Sequence, residues 1–565
     1  MIRPVEPKRI STGLARSAMS SRYLRLSLGK RKGMAIAIPT MATMIVAMLL
    51  SYLRWPVPRL HDDFSNLLVS ETLRQGRWCN PTPAAYQSME SFHLLMIPNY
   101  ASKFPIGPGA IMALGEYLFG SPVVGLWISA SLATACLTWM LAAHLTPRWI
   151  LAAGMFLSFH PCWQNGWAQE FTHGWLPMAG TALVLGGVLR IRQRTLRRAA
   201  SLNAAILAAS AIGIGGILVL FSRPFDGGVV CFLLVASLIP IVCKQQWYLR
   251  ARFWGSAGWS AGIIGLGVLL QLAVNMAVTG RIWQLPYQLH ETQYGVAPLF
   301  IWGTPHEPSL GHRFVELEQF HRVCSLQSWQ QARSVPGFIT TLVARSSNLI
   351  SHWGSLLATL PLTVLLIARE RKRFWWLWMV VCVSLLVINC VPWVMPAYVA
   401  ALVPIALLLA CVGIQGAIRW WVLQVQTPNA IVRSKVEYSL IGLLGVAHLC
   451  AFSITTYSRA TFQSGWEQGW ADHRVELEQR LQSTDGNHLV LVRYSPGHDV
   501  QEEWVYNSAN PTLAKIVWAR LGDEIQNESL IRGYSDRMVW LLQADSAVLT
   551  CIGNSNDLCH RTIGK

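Results

Sequence analysis

The chain has 565 residues, 53% of them hydrophobic and 13% charged, with a formal net charge of +18. Soluble domains carry about 25% charged residues, so the shortfall excludes an ordinary soluble globule and points to a polytopic membrane protein. The 26 tryptophans suit that class, because Trp collects at membrane interfaces. A nucleic-acid partner is excluded by the placement of the basic residues, which sit in short clusters between apolar runs as orientation signals do.

Residues 1–33 hold nine Lys and Arg, from Arg3 to Lys32, against the single acid Glu6. The apolar run that follows is long enough to span a bilayer, and no clean small-residue cleavage site follows it. The reading is therefore a basic cytoplasmic tail and a retained first helix, rather than a signal peptide or an acid-poor transit peptide.

Apolar runs of spanning length fall near 34–54, 122–144, 147–163, 175–190, 201–221, 227–243, 255–278, 344–368, 374–392, 397–418 and 437–456, about eleven transmembrane helices in all. With the N-terminus in the cytoplasm, Arg148, Arg190 to Arg198, Lys244 to Arg252, Arg369 to Arg373 and Arg419 to Lys435 all fall in cytoplasmic links. The short links on the other side carry almost no bases, so the positive-inside rule is met at every turn. The stretch "GPGAIMALGEYLFG", 107–120, is short and contains Glu116, and it reads as a helix lying at the outer surface.

Three large external segments follow from that count: 55–121, 279–343 and 457–565. The third turns soluble in composition. "HLVLVRY" and "RMVWLLQ" read as strands. "NPTLAKIVWARLG" between them reads as a helix with Asn510 as N-cap, Pro511 in its first turn and Gly522 past its end. The expected fold is an all-α polytopic membrane protein with surface helices in the first external loop and a small C-terminal α/β periplasmic lobe. Its divisions are a basic tail (1–33), a transmembrane domain (34–456) and the lobe (457–565). The 12 cysteines lie mostly inside apolar runs and form no CxxC pair, although Cys551 and Cys559 are close enough in sequence to pair if that end is external.

The chemistry-bearing residues begin at "RLHDDFSNLL". Asp62 and Asp63 stand just after the first span, at the start of a helix with an apolar stripe of Phe64, Leu67 and Leu68. One aspartate suffices to cap a helix. The second needs another use, since a carboxylate at the edge of a hydrocarbon slab loses solvation and repels its neighbour. "SFHLLMIPNYASKFPIGPG" follows, with His93, Tyr100 and Lys103 ahead of a Gly/Pro turn that opens the next helix. Lys103 is either a snorkelling lysine or a phosphate contact at a helix start. "FSRPFDGG" places Arg223 at the outer end of the fifth span with Asp226 three residues on, as a structural ion pair or as a phosphate clamp. "LPYQLHETQYG" in the second external loop gathers Tyr287, His290, Glu291 and Tyr294. His290, or His173 near Glu170, is a candidate metal ligand, but a lone His near acids is usually an ordinary loop residue, so no metal set is assigned.

An acidic pair after the first span, a surface helix, a Lys-x-Pro turn and a second surface helix ending "YLFG" resemble the GT-C membrane glycosyltransferases. These include the protein O-mannosyltransferases, the aminoarabinose transferases and the rhizobial lipopolysaccharide sugar transferases. The likeness covers roughly residues 34–300 and is carried by "DDFSNLL", "SKFPIGPG" and "SRPFDG". It departs in Asp-Asp where many relatives have Asp-Glu, and in Pro105-Ile106 where they have Pro-Pro. The resemblance implies a polyprenyl-phosphate-linked sugar donor, a glycan, lipid or protein acceptor, and an active site outside the bacterial inner membrane. It also implies an acidic base in the first loop, with Asp62 the first choice and Asp63 the second. Lys103 and Arg223 would meet the donor phosphate. His93, Tyr100, Asp226, Tyr287, His290, Glu291 and Tyr294 are candidates for substrate contact, with a divalent cation as an optional cofactor. The competing readings are a lipid-linked glycan ligase or polymerase working from the 279–343 loop, and a transporter or flippase of lipid-linked sugars. The flippase reading would favour charges inside the spans, where this chain has few acids.

Overall fold

The computed structural model describes residues 11–172, 174–195, 202–243, 247–344, 360–393, 395–424, 430–461 and 469–554. The described apolar runs are helical, but the link expected at Arg369 to Arg373 is not there: one helix runs unbroken from Leu360 to Ile388 through those basic residues, because Arg, Glu and Lys are good helix formers and no Gly or Pro interrupts them. Much of the run at 344–368 lies outside the described residues, as do His173 and Cys559. The first helix, α1 (Ser11–Leu53), leads into a loop carrying α2 (His61–Arg74), a hairpin of β1 (Leu94–Leu95) and β2 (Ala101–Ser102), and α3 (Gly107–Phe119). The bundle continues with α4 (Pro122–Leu141), α5 (Pro147–Ser158), α6 (Trp175–Thr195), α7 (Leu202–Leu220), α8 (Asp226–Ala236), α9 (Ile239–Cys243) and α10 (Trp247–Thr279). A second loop carries α11 (Pro286–Tyr294), α12 (Val315–Glu318) and α13 (Ser325–Arg333). After it come α14 (Val335–Ala344), α15 (Leu360–Ile388), α16 (Val403–Gln424) and α17 (Ala430–Thr461).

Seven described segments are long and apolar enough to cross a membrane by length and composition: Gly29–Leu53, Pro122–Leu141, Leu202–Leu220, Asp226–Cys243, Phe253–Thr279, Ala397–Trp420 and Lys435–Ser458. The 12-residue α5 and α6, which ends in Arg190, Arg192 and Arg194, complete the packing. α6 is central, touching α4, α7, α8 and α16. Where water is absent, hydroxyls join helices: Thr43 on α1 lies 3.0 Å from Thr134 on α4 and 3.0 Å from Ser158 on α5.

Beyond α17 lies a compact lobe: α18 (Trp470–Ser483), β3 (Asn487–Arg493), β4 (Ile516–Arg520), α19 (Glu524–Gly533), β5 (Arg537–Gln543) and β6 (Val548–Asn554). Its sheet runs β4-β3-β5-β6. β3 is parallel to both neighbours, with Leu489 opposite Val517 and Val539, and β6 is antiparallel to β5. "HLVLVRY" and "RMVWLLQ" are thus adjacent strands. The helix expected at 510–522 is not there. Pro511 to Leu513 make a turn, and "IVWAR" is β4, all five of its residues buried. Both faces of the strand are covered, so it shows no alternation. The β-branched and aromatic Ile516, Val517 and Trp518 prefer an extended chain. The helix falls instead at 524–533, where the Asp523 side chain accepts from the N–H of Gln526 at 2.8 Å.

One face of the sheet packs on the first loop. Leu489, Leu491, Val517 and Val539 share a core with Phe64, Leu68, Met89, Leu94 and Met96. The other face buries Val490, Val492, Trp504, Trp518 and Leu542 with Leu481 of α18.

Candidate active site

The two aspartates occupy the first turn of α2 and face different surroundings. Asp63 is 1% exposed, and its Oδ2 accepts from the N–H groups of Arg59 (3.0 Å) and Leu60 (3.1 Å). This carboxylate closes the helix start. Burial pushes its pKa up to about 7, against the pull of those two N–H groups.

Asp62 turns the other way. Its Oδ1 stands 2.9 Å from Nδ1 of His93, and its side chain is 21% exposed. His93 has φ +63, a left-handed backbone uncommon for any residue with a Cβ. Two contacts hold it there: its carbonyl accepts from Ser65 Oγ (3.0 Å) and from the N–H of Lys103 (3.1 Å). Burial drives the His93 imidazole well below its ordinary pKa, with Lys103 and His290 adding to the effect, so it is neutral. Burial also raises the Asp62 pKa. Arg223, Lys103 and His61 all lie near enough to pull it back down without cancelling the rise.

Lys103 and Arg223, about 120 residues apart in sequence, are therefore both in electrostatic reach of one carboxylate. Gly107, four residues after Lys103, brings the two segments together. Its N–H donates to the carbonyl of Phe221 at 2.8 Å, and a Cβ at that position would lie 2.4 Å from the same oxygen. Lys103 is 6% exposed, with Nζ 3.5 Å from Glu291 Oε1 and 4.8 Å from the centre of the Tyr287 ring. Burial lowers its pKa, and Glu291 and Asp62 oppose that. Burial would raise Glu291, but Lys103 and His290 outweigh it and hold the carboxyl down to about 2. The Arg223 guanidinium sits 4.2 Å over the Tyr398 ring. Burial alone would lower its pKa; Tyr398, Asp226 and Asp62 reverse the sign and keep it charged.

Most of the residues expected from sequence meet here: Asp62, His93, Lys103, Arg223, Asp226, Tyr287, His290 and Glu291. Tyr100 does not; it is 1% exposed and donates to the carbonyl of Asn507, fastening the lobe. Tyr294 points to Glu90, with its hydroxyl 3.3 Å from Oε1. Sequence reasoning did not single out Tyr398, or His61 and His321, which extend the pair His93 and His290 from α2 to the second loop. Ring centroids run His61 to His93 (5.6 Å), His93 to His290 (6.3 Å) and His290 to His321 (5.6 Å). No local pattern marks His61 or His321, because they join the row from segments far apart in sequence. Among the described residues no three His, Cys, Asp or Glu side chains converge closely enough to hold a metal ion.

The lobe reaches the same place. Tyr506 Oη is 2.9 Å from Nδ1 of His61, the residue before Asp62, and Arg520 donates to the carbonyl of Glu90 at 3.0 Å.

No family model matches the chain, and no curated protein matches it in sequence. Solved structures do. ArnT from Cupriavidus metallidurans in the apo state aligns at TM-score 0.51 and 11% identity, covering 93% of each chain. The same protein bound to undecaprenyl phosphate aligns at TM-score 0.44 and 13% identity, covering 90% of this chain and 93% of that one. The Archaeoglobus fulgidus oligosaccharyltransferase tethered with an acceptor peptide aligns at TM-score 0.47 and 11% identity, covering 86% of this chain and 64% of that one. The apo ArnT likeness shows the fold: this chain shares the architecture of that structure, helical bundle and small sheet lobe together.

Proposed function

We propose that the protein is a membrane glycosyltransferase that moves a sugar from a polyprenyl-phosphate carrier to an acceptor on the outer side of a bacterial inner membrane. The observation that carries this is the meeting of Lys103 and Arg223, from distant segments, beside the carboxylate of Asp62 at the end of a membrane bundle. In this reading Asp62 takes the proton of an acceptor hydroxyl as that oxygen bonds to the anomeric carbon. The bond from that carbon to the donor phosphate oxygen breaks, and its electron pair leaves on polyprenyl phosphate. Lys103 and Arg223 stabilise the leaving phosphate, and their low-polarity surroundings make that stabilisation larger than it would be in water. His93 fixes the rotamer of Asp62, and Glu291 and Asp226 keep the two cations in place.

The fold supports the reading, since a neighbour of the same architecture is crystallised with undecaprenyl phosphate. The basic links between helices support a cytoplasmic N-terminus and an outward lobe. The second loop contributes Tyr287, His290 and Glu291 to the Lys103 side, so a ligase-type enzyme working on the same carrier remains the alternative.

Two measurements test the proposal. Undecaprenyl phosphate binding to the full-length protein in nanodiscs should weaken at least tenfold in Lys103→Ala and in Arg223→Ala, as expected for a lost charge-assisted contact. A deletion strain should accumulate a polyprenyl-phosphate sugar in its lipid extract. Unchanged binding in both variants would remove the phosphate site from the argument.

A further inference from the structure

Lys103 is covered. Its side chain is 7% exposed, with the Tyr287 ring centre 4.8 Å from Nζ and Glu291 Oε1 3.5 Å away. Both neighbours come from α11, so one short helix lies over the cation that a donor phosphate has to reach. Among the described residues, Glu291 supplies the one ion pair of Lys103. The helix itself is fastened at its C-terminal end, where Gln293 Nε2 donates to the carbonyl of Ile97 at 2.9 Å and Tyr294 Oη donates to Glu90 at 3.3 Å. The Glu291 side chain is held less tightly. Its 3.5 Å separation from Nζ exceeds the ~2.7–2.9 Å of a close charge-assisted bond. Gly295 leaves it room, since a Cβ there would lie 2.5 Å from Glu291 Oε2. Burial would raise the Glu291 pKa, but Lys103 and His290 hold the carboxyl down to about 2, so it stays an anion.

An anion seated on the phosphate-binding cation has a use in sugar transfer. Breaking the bond from the anomeric carbon to the donor phosphate oxygen turns a phosphodiester, with one negative charge, into a monoester with about 1.5 to 2 at pH 7. Lys103 and Arg223 therefore attract the product more strongly than the donor, and a site made only of those cations would retain it. Building on the glycosyltransferase reading above, we propose that Glu291 drives product release: it yields Lys103 to the arriving donor and, after transfer, returns to Lys103 and displaces polyprenyl phosphate. The ion pair seen here is then the state between turnovers, with the carboxylate of Glu291 standing where the phosphate oxygens go. It also satisfies a buried lysine while the site is empty, which a bare cation at that depth would not tolerate.

The test is binding of undecaprenyl phosphate, and of its methyl phosphodiester, to full-length protein in phosphatidylcholine nanodiscs. Glu291→Gln should bind undecaprenyl phosphate about tenfold tighter than the unmodified protein does and release it correspondingly slower, with a smaller gain for the diester. Glu291→Asp, which keeps the charge, should stay near the unmodified protein. In a Lys103→Gln background, Glu291→Gln should change neither affinity. A carboxylate that only holds Lys103 in position gives the opposite sign, weaker binding on its removal. Weaker or equal binding in Glu291→Gln therefore overturns the proposal, as does an equal gain for both lipids or a gain that persists without Lys103. A second measurement needs no variant. Carbodiimide coupling of glycine ethyl ester to Glu291 in the unmodified protein, read by mass spectrometry, should rise when undecaprenyl phosphate is added, and unchanged or lower labelling overturns the proposal. The two readings fail separately. If undecaprenyl phosphate binding depends on Lys103 while Glu291→Gln does not tighten it, the glycosyltransferase stands and the release role falls.

Discussion

Asp62 and Asp63 are identical side chains one residue apart, and their surroundings give them different work. Asn accepts a hydrogen bond at a helix start about as well as Asp does but cannot take a proton. Asp62→Asn should therefore lower transfer from a polyprenyl-phosphate sugar by roughly 10²-fold or more with yield unchanged, and Asp63→Asn should lower it far less. Wild-type activity in both variants would remove the general-base assignment. Asp63 has a second signature. Its folded pKa of about 7 lies above the ordinary carboxyl value because of burial. The folded state thus binds the extra proton over that interval, and the stability this carboxyl contributes is full at low pH and lost as pH rises toward about 7. Melting temperature in detergent, compared between about pH 5 and about pH 8, should fall less in Asp63→Asn than in the unmodified protein. The sequence showed that two adjacent carboxylates were one more than a cap requires. Which of the two is the cap depends on where the N–H groups of Arg59 and Leu60 point, and no residue pattern encodes that.

At the level of elements, the glycine after the Lys-x-Pro turn has the clearest consequence. Gly107 permits the start of α3 to touch the end of α7, and this contact places Lys103 and Arg223 near one another. Gly107→Ala should push the two segments apart by a few tenths of an ångström or more. The expected result is weaker undecaprenyl phosphate binding in correctly inserted protein, with Gly120→Ala, whose Cβ would meet open space but carries a φ of +75, as a comparison for backbone strain alone. Equal effects from the two would show that the α3–α7 approach is not what matters. Seven of the eleven expected spans are, among the described residues, helices long and apolar enough to cross, and β3, β5 and the short α3 were legible too. β4 was not. Asn510, Pro511 and Gly522 imitate the punctuation of a helix, and a strand buried on both faces has no alternation to set against them. The core that joins β3, β4 and β5 to Phe64, Leu68 and Met96 was likewise hidden, since it depends on contacts across most of the chain.

Over the whole molecule, the lobe and both large loops are joined through one buried cation. Arg520 is 1% exposed and pairs with Glu503 inside the lobe; it also lies 3.2 Å from Glu316 in the second loop and donates to the Glu90 carbonyl in the first. Removing such a partner leaves buried carboxylates uncompensated, at a cost of about 3–5 kcal/mol. Arg520→Leu should make residues near Glu316 and the lobe sensitive to protease together in intact membranes. Cleavage of the lobe alone would show that the three parts are not coupled. Reporter fusions after residue 554 should show alkaline phosphatase activity, whereas a fluorescent GFP fusion there would reverse the proposed orientation. The lobe contact also bears on biosynthesis. Tyr506 meets His61 across 445 residues of chain, so at roughly 5–20 residues per second the first loop emerges about 20 to 90 seconds before the sheet that covers it. During that interval Phe64, Met89 and Met96 lack their native cover. A chaperone that holds them, or a ribosome that pauses, would decide how many nascent chains mature, and synonymous codon changes upstream of residue 470 should alter yield without altering the finished protein.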